Sequence, residues 1–180
     1  MVNRQTITES IRGFISPKTL PYPRQPSVLP EGSRGKPEFD AEKCVGCGAC
    51  AQTCPMGAIN VTDGVERSIR VWYGKCSFCG RCQDVCPEEA IHLTSAYELA
   101  VFDKNKATAD VEIDFESCSS CGKKFFPAPQ LERSFERMKP ILEKRNISHE
   151  ELRLLDRVCS SCRERPEEFS KRKLFLLNFG

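Results

Sequence analysis

Residues 44–55 read CVGCGACAQTCP and residues 76–87 read CSFCGRCQDVCP. The two runs are copies of one pattern. Cys44, Cys47, Cys50 and Cys54 recur as Cys76, Cys79, Cys82 and Cys86. Gly48, Pro55, Ala58 and Ile59 recur as Gly80, Pro87, Ala90 and Ile91. Each copy predicts a cysteine-bearing loop, a short helix and then a strand, Ile59–Val61 in the first and Ile91–Leu93 in the second. Asp63-Gly64 is a hairpin signal leading into a strand near Ile69–Tyr73. The duplication predicts a small α+β unit with pseudo-twofold symmetry.

The chain has 12 cysteines in 180 residues. In a secreted miniprotein such a count would suggest disulfides. No apolar export segment opens this sequence, however, and every cysteine belongs to a tightly spaced cluster. The expectation is a reduced, cytosolic, metal-loaded chain. In C-x-x-C-x-x-C-x-x-x-C-P, three thiolates at steps of three wrap three corners of an iron–sulfur cubane, and the fourth points toward a second one. Ligation is therefore expected to cross over. Cys44, Cys47, Cys50 and Cys86 would hold one [4Fe-4S] cluster (cluster 1), and Cys76, Cys79, Cys82 and Cys54 the other (cluster 2). Gly46, Gly48 and Gly80 let the backbone approach and aim amides at sulfur. Val45, Phe78, Ile59 and Ile91 are suited to exclude water. Two zinc knobs are the alternative, but zinc seldom uses three such closely spaced cysteines followed by Cys-Pro. Over residues 40–97 the repeat resembles bacterial two-cluster ferredoxins.

The remaining cysteines form two C-x-x-C pairs, Cys118/Cys121 and Cys159/Cys162. Together they could close one tetrahedral four-thiolate site. Zinc is the first expectation, a mononuclear iron the second, and a further cluster or free thiols the third. A closed four-cysteine site has no open position, so its role would be structural or one-electron, not hydrolytic. Between the pairs lie two helical patterns. Leu131, Phe135, Met138 and Leu142 make one apolar stripe that contains Pro140; Ser148-x-x-Glu151 would cap a second helix with Leu152, Leu155 and Val158 inward.

The composition excludes several classes. Lys+Arg total 27 against Asp+Glu 25, a formal charge of +2, which argues against a nucleic-acid binder acting through bulk positive charge. Two clusters and a zinc site, each carrying about −2 with its thiolates, would move that balance to roughly −4. The longest apolar runs are Leu99–Phe102 and Leu174–Leu177, whereas a membrane-spanning helix needs about 20 residues. Gly32-x-x-Gly35-Lys36 is too short for a phosphate loop and no G-x-G-x-x-G is present, so no nucleotide cofactor is expected. His92 and His149 are the only histidines, and neither sits beside a nucleophile in sequence.

The expected fold is α+β: a bacterial two-[4Fe-4S] ferredoxin-like domain at residues 40–97, an extended N-terminal arm at residues 1–39, and a helical C-terminal metal-binding lobe with its four cysteines at residues 98–180. Half of the prolines, from Pro17 to Pro37, crowd into the arm and favour an extended strap over a partner or membrane surface. Before them Ile7, Ile11, Phe14 and Ile15 share one helical face, and Thr6-x-x-Glu9 reads as a capping box.

The flanks sharpen the reading. Thr19-Leu-Pro-Tyr22-Pro23 and Arg34-Gly35-Lys36-Pro37 before the first cysteine run, and Tyr97-Glu98-Leu99 after the second, resemble the two-cluster subunit of respiratory complex I and of membrane-bound [NiFe] hydrogenases. Cys118-x-x-Cys121, then Phe125-Phe-Pro-Ala-Pro-Gln130, then Cys159-x-x-Cys162-Arg163, resembles the ferredoxin-like subunit of formate hydrogenlyase, the hydrogenase-4 type. The resemblance implies an electron wire, not a standalone enzyme. It would lie peripherally at the cytoplasmic face of the membrane beside membrane-arm subunits. It would relay electrons between an input-module iron–sulfur subunit or ferredoxin and the hydrogenase small subunit, which serves the [NiFe] large subunit. Two alternatives stand beside it: the equivalent subunit of complex I or of a sulfur-reducing relative, and, from another class, a zinc-dependent interaction module.

Overall fold

The computed structural model describes residues 4–16, 22–25, 27–144 and 157–165. The chain forms two compact units, Met1–Ser33 and Arg34–Gly180.

The first unit holds helix α1 (Arg4–Ile15). Ile7, Ile11, Phe14 and Ile15 share its apolar face as their spacing predicts, and all four are exposed. Thr6 is not the cap. The helix already includes Arg4, and the hydroxyl of Ser10 donates to the Thr6 carbonyl from within it. Residues 27–30 have no regular structure.

The second unit starts with strand β1 (Pro37–Phe39) and helix α2 (Ala49–Gln52). Strands β2 (Ile59–Asp63) and β3 (Arg67–Trp72) form the hairpin that Asp63-Gly64 predicts, with Asp63 opposite Arg67. Helix α3 (Arg81–Asp84) and strand β4 (Ile91–Leu93) repeat the α2–β2 arrangement. Strand β4 pairs antiparallel with β1. Pro37, which sequence reading assigns to an arm, is thus a sheet residue. Proline is tolerated there because it opens a two-stranded edge.

The region expected as a helical lobe begins with strands. Strand β5 (Thr108–Ile113) adds to the free edge of β3 and gives the order β2-β3-β5. Its alternation buries Val111 and Ile113 and exposes Asp110 and Glu112, the period-two pattern of a half-buried strand. Strands β6 (Phe115–Ser117) and β7 (Lys124–Pro127) form a second hairpin. Helix α4 (Ala128–Lys144) follows without a break and carries Pro140 inside it. Phe135 of its predicted stripe is buried. Helix α5 (Ser160–Arg163) is a single turn. The second expected helix lies almost wholly outside the described residues, apart from Val158, which is buried. His149 and the apolar tail from Leu174 also lie outside them. Among the described residues, no helix is long and apolar enough to cross a membrane.

One core joins the sheets. Ile69 and Val71 of β3 are fully buried and pack with Ile59, Ile91, Val111 and Ile113. Cys50 and Cys82 belong to the same cluster, so the ligand residues are part of the core. A backbone ladder closes the unit: Gly35 N–H donates to the Thr94 carbonyl at 2.7 Å and Lys36 N–H to that of Ala96 at 2.9 Å. A Cβ on Gly35 would run into the Ala96 carbonyl and stand 2.7 Å from the Thr94 oxygen. Gly35→Ala is expected to destabilise the unit by about 1–3 kcal/mol, read as a lower denaturation midpoint by circular dichroism.

Candidate metal centres

The two cysteine runs adopt the same local geometry. Gly48 has φ 73° and opens α2; Gly80 has φ 86° and opens α3. These left-handed residues reverse the chain between the second and third cysteines of each run, and glycine adopts that backbone without strain. Single-turn helices then place Cys50 and Cys82 inward, both buried. Beyond each turn the fourth cysteine accepts a backbone hydrogen bond at sulfur. Ala58 N–H donates to Cys54 Sγ and Ala90 N–H to Cys86 Sγ, each at 3.2 Å.

Two cavities of similar size result. One is lined by Cys44, Cys47, Cys50 and Cys86 together with Phe39, Val45, Ile69 and Ile91. The other is lined by Cys54, Cys76, Cys79 and Cys82 together with Met56, Ile59, Phe78 and Leu93. Each gathers three cysteines from one run and the fourth from the other.

The chemistry of these walls fits iron–sulfur clusters. Each cavity offers four sulfurs, a largely apolar lining and amides aimed at sulfur, with Glu88 at the edge of the first and Ser77 and Arg81 at the second. Phe78 N–H donates to Cys76 Sγ at 3.4 Å, and the Gly46 amide similarly favours the Cys44 thiolate. Burial opposes ionisation. It pushes the Cys50 thiol up to about 12 and also raises those of Cys44, Cys76 and Cys82. Neighbouring cysteines push the same way, since like charges crowd one volume. A polycation must therefore neutralise the site before four thiolates are stable in it.

The pseudo-symmetry breaks at the second residue after the first cysteine. Gly46 (φ 74°) would, with a Cβ, press on Ile113 and Pro127 at 3.2 and 3.3 Å. Its counterpart Phe78 also has positive φ, 53°, and bears a phenyl ring. Ile113 of β5 and Pro127 of β7 thus pack on the first cysteine loop. Two further features are not evident in the cysteine pattern. Arg67 reaches from β3 to the Gly46 carbonyl at 2.8 Å. Glu88, just past Cys86-Pro87, is gripped by Arg133 at 2.8 Å and Arg137 at 2.6 Å, both on α4. The only advance signal for the first is that Arg67 lies four residues after Asp63.

The third group lies apart from these cavities. The sulfurs of Cys118, Cys121, Cys159 and Cys162 all lie within 4.8 Å of one another. Cys121 Sγ and Cys159 Sγ are 3.7 Å apart. With metal–sulfur bonds of about 2.3 Å, tetrahedral geometry puts sulfurs about 3.8 Å apart. Cys118 ends the β6 arm and Cys121 lies in the turn, where Gly122 (φ 71°) donates its N–H to the Cys118 carbonyl. Cys159 is the N-cap of α5 and Cys162 lies inside it. Ser119 N–H and its hydroxyl both donate to the Arg157 carbonyl, which pins the two knuckles together. Cys159 N–H donates to Cys118 Sγ at 3.3 Å, and this and neighbouring amides hold the Cys118 thiol down at about 6. Cys162, sharing hydrogen bonds with Cys121, is pushed up to about 11. The donor set fits a zinc or a single iron ion. A small apolar cluster of Val158 and Phe125 packs around it.

Comparison with known proteins agrees with the class this geometry defines. Sequence models described as "4Fe-4S dicluster domain" match residues 36–87 and, overlapping them, residues 75–123. The protein is an iron–sulfur protein of the dicluster type. Formate hydrogenlyase subunit 6 of Escherichia coli (strain K12) is 35% identical over 136 residues, 74% of this chain and 76% of that protein. The chain belongs to the family of formate hydrogenlyase subunit 6. NADH-quinone oxidoreductase subunit I of Yersinia pestis (strain Pestoides F) is 35% identical over 69 residues, 35% of this chain and 37% of that one. A chain from the membrane-bound sulfane sulfur reductase, an archaeal respiratory membrane complex, superposes with TM-score 0.43 at 27% identity over 59% of this chain and 60% of that chain.

Loading the Cys118 quartet requires loss of at least the Cys162 proton at neutral pH, since its thiol stands near 11. Metal and proton compete for that sulfur. Acidification is therefore expected to weaken binding by at least about tenfold per pH unit below neutrality, measured by competition with a chelator on the full chain.

Proposed function

We propose that this chain is the iron–sulfur electron-transfer subunit of a membrane-bound, complex I-related hydrogenase of the formate hydrogenlyase type. Cys44, Cys47, Cys50 and Cys86 are the ligands of cluster 1, and Cys76, Cys79, Cys82 and Cys54 those of cluster 2. When bound, a [4Fe-4S] cluster supplies a one-electron couple. The residues around it supply the rest. Apolar walls exclude water, amides directed at sulfur favour the more negative state, and interleaved ligands fix the two sites relative to each other. In this reading the chain serves a multi-subunit oxidoreductase as its electron carrier without being an enzyme alone.

The observation that carries this reading is the extent of the likeness. The match to formate hydrogenlyase subunit 6 spans 136 residues, while that to the complex I subunit spans only 69. A dicluster segment alone would account for the shorter match. The partners proposed are therefore the hydrogenase small and large subunits, an input-module iron–sulfur subunit or ferredoxin, and membrane-arm subunits. The proposed location is peripheral, on the cytoplasmic side. The arm of residues 1–39 would lie along a partner or the membrane surface, and the four-cysteine site in the lobe of residues 98–180 would hold zinc as a brace.

Affinity isolation of the tagged chain under anaerobic conditions tests the assignment. A nickel-containing large subunit is expected to co-purify, and the chain itself to hold about eight cluster irons. A nickel-free quinone-reducing complex would make it the equivalent subunit of a complex I relative instead, and three zincs with no iron would reject both. The crossed ligation has its own test. Cys54→Ser is expected to abolish or alter the signal of cluster 2 while leaving cluster 1 intact in electron paramagnetic resonance. Cys118→Ser is expected to destabilise the C-terminal lobe and spare both cluster signals.

A further inference from the structure

We propose that Arg67 is a positioning residue for cluster 1, fixing the ligand loop between Cys44 and Cys47 and raising that cluster's reduction potential relative to its twin. The inference rests on the reading of Cys44, Cys47, Cys50 and Cys86 as cluster ligands.

Arg67 joins its own β2–β3 hairpin to two segments distant in sequence, the Gly46 loop and Phe115 of β6. Its Nε and Nη2 donate to the two carboxylate oxygens of Asp63 at 2.7 and 2.9 Å. Its Nη1 donates to the Gly46 carbonyl at 2.8 Å. Its guanidinium lies over the Phe115 ring, 5.6 Å from the centroid. The Asp63 fork and the Phe115 face fix the guanidinium plane. The remaining donor is then already aimed when it meets Gly46. A planar guanidinium can serve these partners together, and an ammonium cannot reproduce that fork.

Gly46 cannot move inward. It is buried, and even a Cβ there would crowd Ile113 and Pro127. Arg67 holds its carbonyl from the other side. The peptide that leads into Cys47 is thereby clamped, which matters because Cys47 is an exposed member of its quartet.

The charge arrangement is asymmetric. The Arg67 side chain is 20% exposed and that of Asp63 52%. Asp63 holds the guanidinium proton firmly and Cys47 adds to the effect, while Arg67 keeps the Asp63 carboxyl below its usual range. Water screens the outer carboxylate more than the inner cation. The pair is therefore expected to leave a positive contribution at the sulfurs, favouring the reduced, more negative state, while Glu88, which lines the same pocket, has its charge met by Arg133 and Arg137. On the loop of the other run, Arg34 reaches the Cys79 carbonyl at 3.2 Å from an exposed position. A weaker effect is expected there, which makes the two sites electrostatically unequal.

The test is a redox titration of the full chain with its clusters reconstituted, followed by electron paramagnetic resonance. Cys47→Ser marks which wave belongs to cluster 1. Arg67→Gln is expected to move that wave to more negative potential and leave the other unmoved. Asp63→Asn is expected to move it the opposite way. Arg67→Lys keeps the charge and loses the fork, so the potential should stay near that of the native chain while a chelator strips iron from cluster 1 several-fold faster. If Arg67→Gln fails to hold cluster 1, Asp63→Asn and Arg67→Lys carry the test. An unmoved cluster 1 wave, or equal shifts of both waves, would reduce Arg67 to a hairpin brace. A native chain that takes up no cluster in the Cys44 quartet would instead overturn the ligand reading itself.

Discussion

Four sulfurs must converge on one small volume, twice over, and that requirement organises the unit. Thiolates in an apolar cavity repel one another and lose hydration, so burial raises the thiols of Cys44, Cys76 and Cys82 and pushes that of Cys50 up to about 12. The core is not complete without what the sulfurs bind. Cys50 and Cys82 stand in the same packed cluster as Ile69, Val71 and Ile91. In most domains the core forms first in importance and the site is attached to it. Here the walls of the two cavities are the faces of the core, so metal binding in them would be coupled to folding.

The duplicated sequence makes an unequal pair. The two loops begin alike, down to the left-handed glycines before α2 and α3. They diverge where later chain packs on the first loop. Strand β5 adds Ile113 and β7 adds Pro127 beside Gly46, so a side chain there would strain a left-handed backbone and need these neighbours to give way. Phe78 occupies the equivalent place and accepts a left-handed backbone, at a cost on the order of 1 kcal/mol. Its ring lines the other cavity. Beyond Cys86 the Glu88 carboxylate is held by two arginines of α4. The C-terminal part of the chain therefore touches the cysteine framework at both ends of one quartet.

What the sequence made legible was local. Cysteine spacing, the left-handed glycines and the Asp63-Gly64 turn depend on neighbours within a few residues, and each predicted element around them is present. What escaped was pairing across distance. Strand β1 is three residues long and starts with proline, so no window of sequence distinguishes it from an arm; its partner β4 defines it. Strand β5 does carry a period-two signal in Ala109, Val111 and Ile113, but nothing local to it says that it pairs with β3. The Thr6 cap failed because capping motifs mark starts only where the preceding residues are not already helical. Arg67 and Glu88 have meaning only once β3 and α4 are placed.

The Cys118 quartet extends the same logic to the rest of the chain. Its two C-x-x-C knuckles are separated by α4 and by residues outside the described set, so closing the site joins distant parts of the sequence. A long loop closed by an ion loses conformational entropy that the unfolded chain would otherwise keep. The gain accrues to what lies between the closure points, and that includes Arg133 and Arg137. One end of the closed loop is continuous with β6 and β7, which carry Phe115 against Arg67 and Pro127 against Gly46. The other end is tied back through Ser119 and Arg157. An ion in this site would thus do more than stabilise a lobe. By stiffening β6, β7 and α4 together, it would hold in register the side chains that pack on the Cys44 loop and on Glu88.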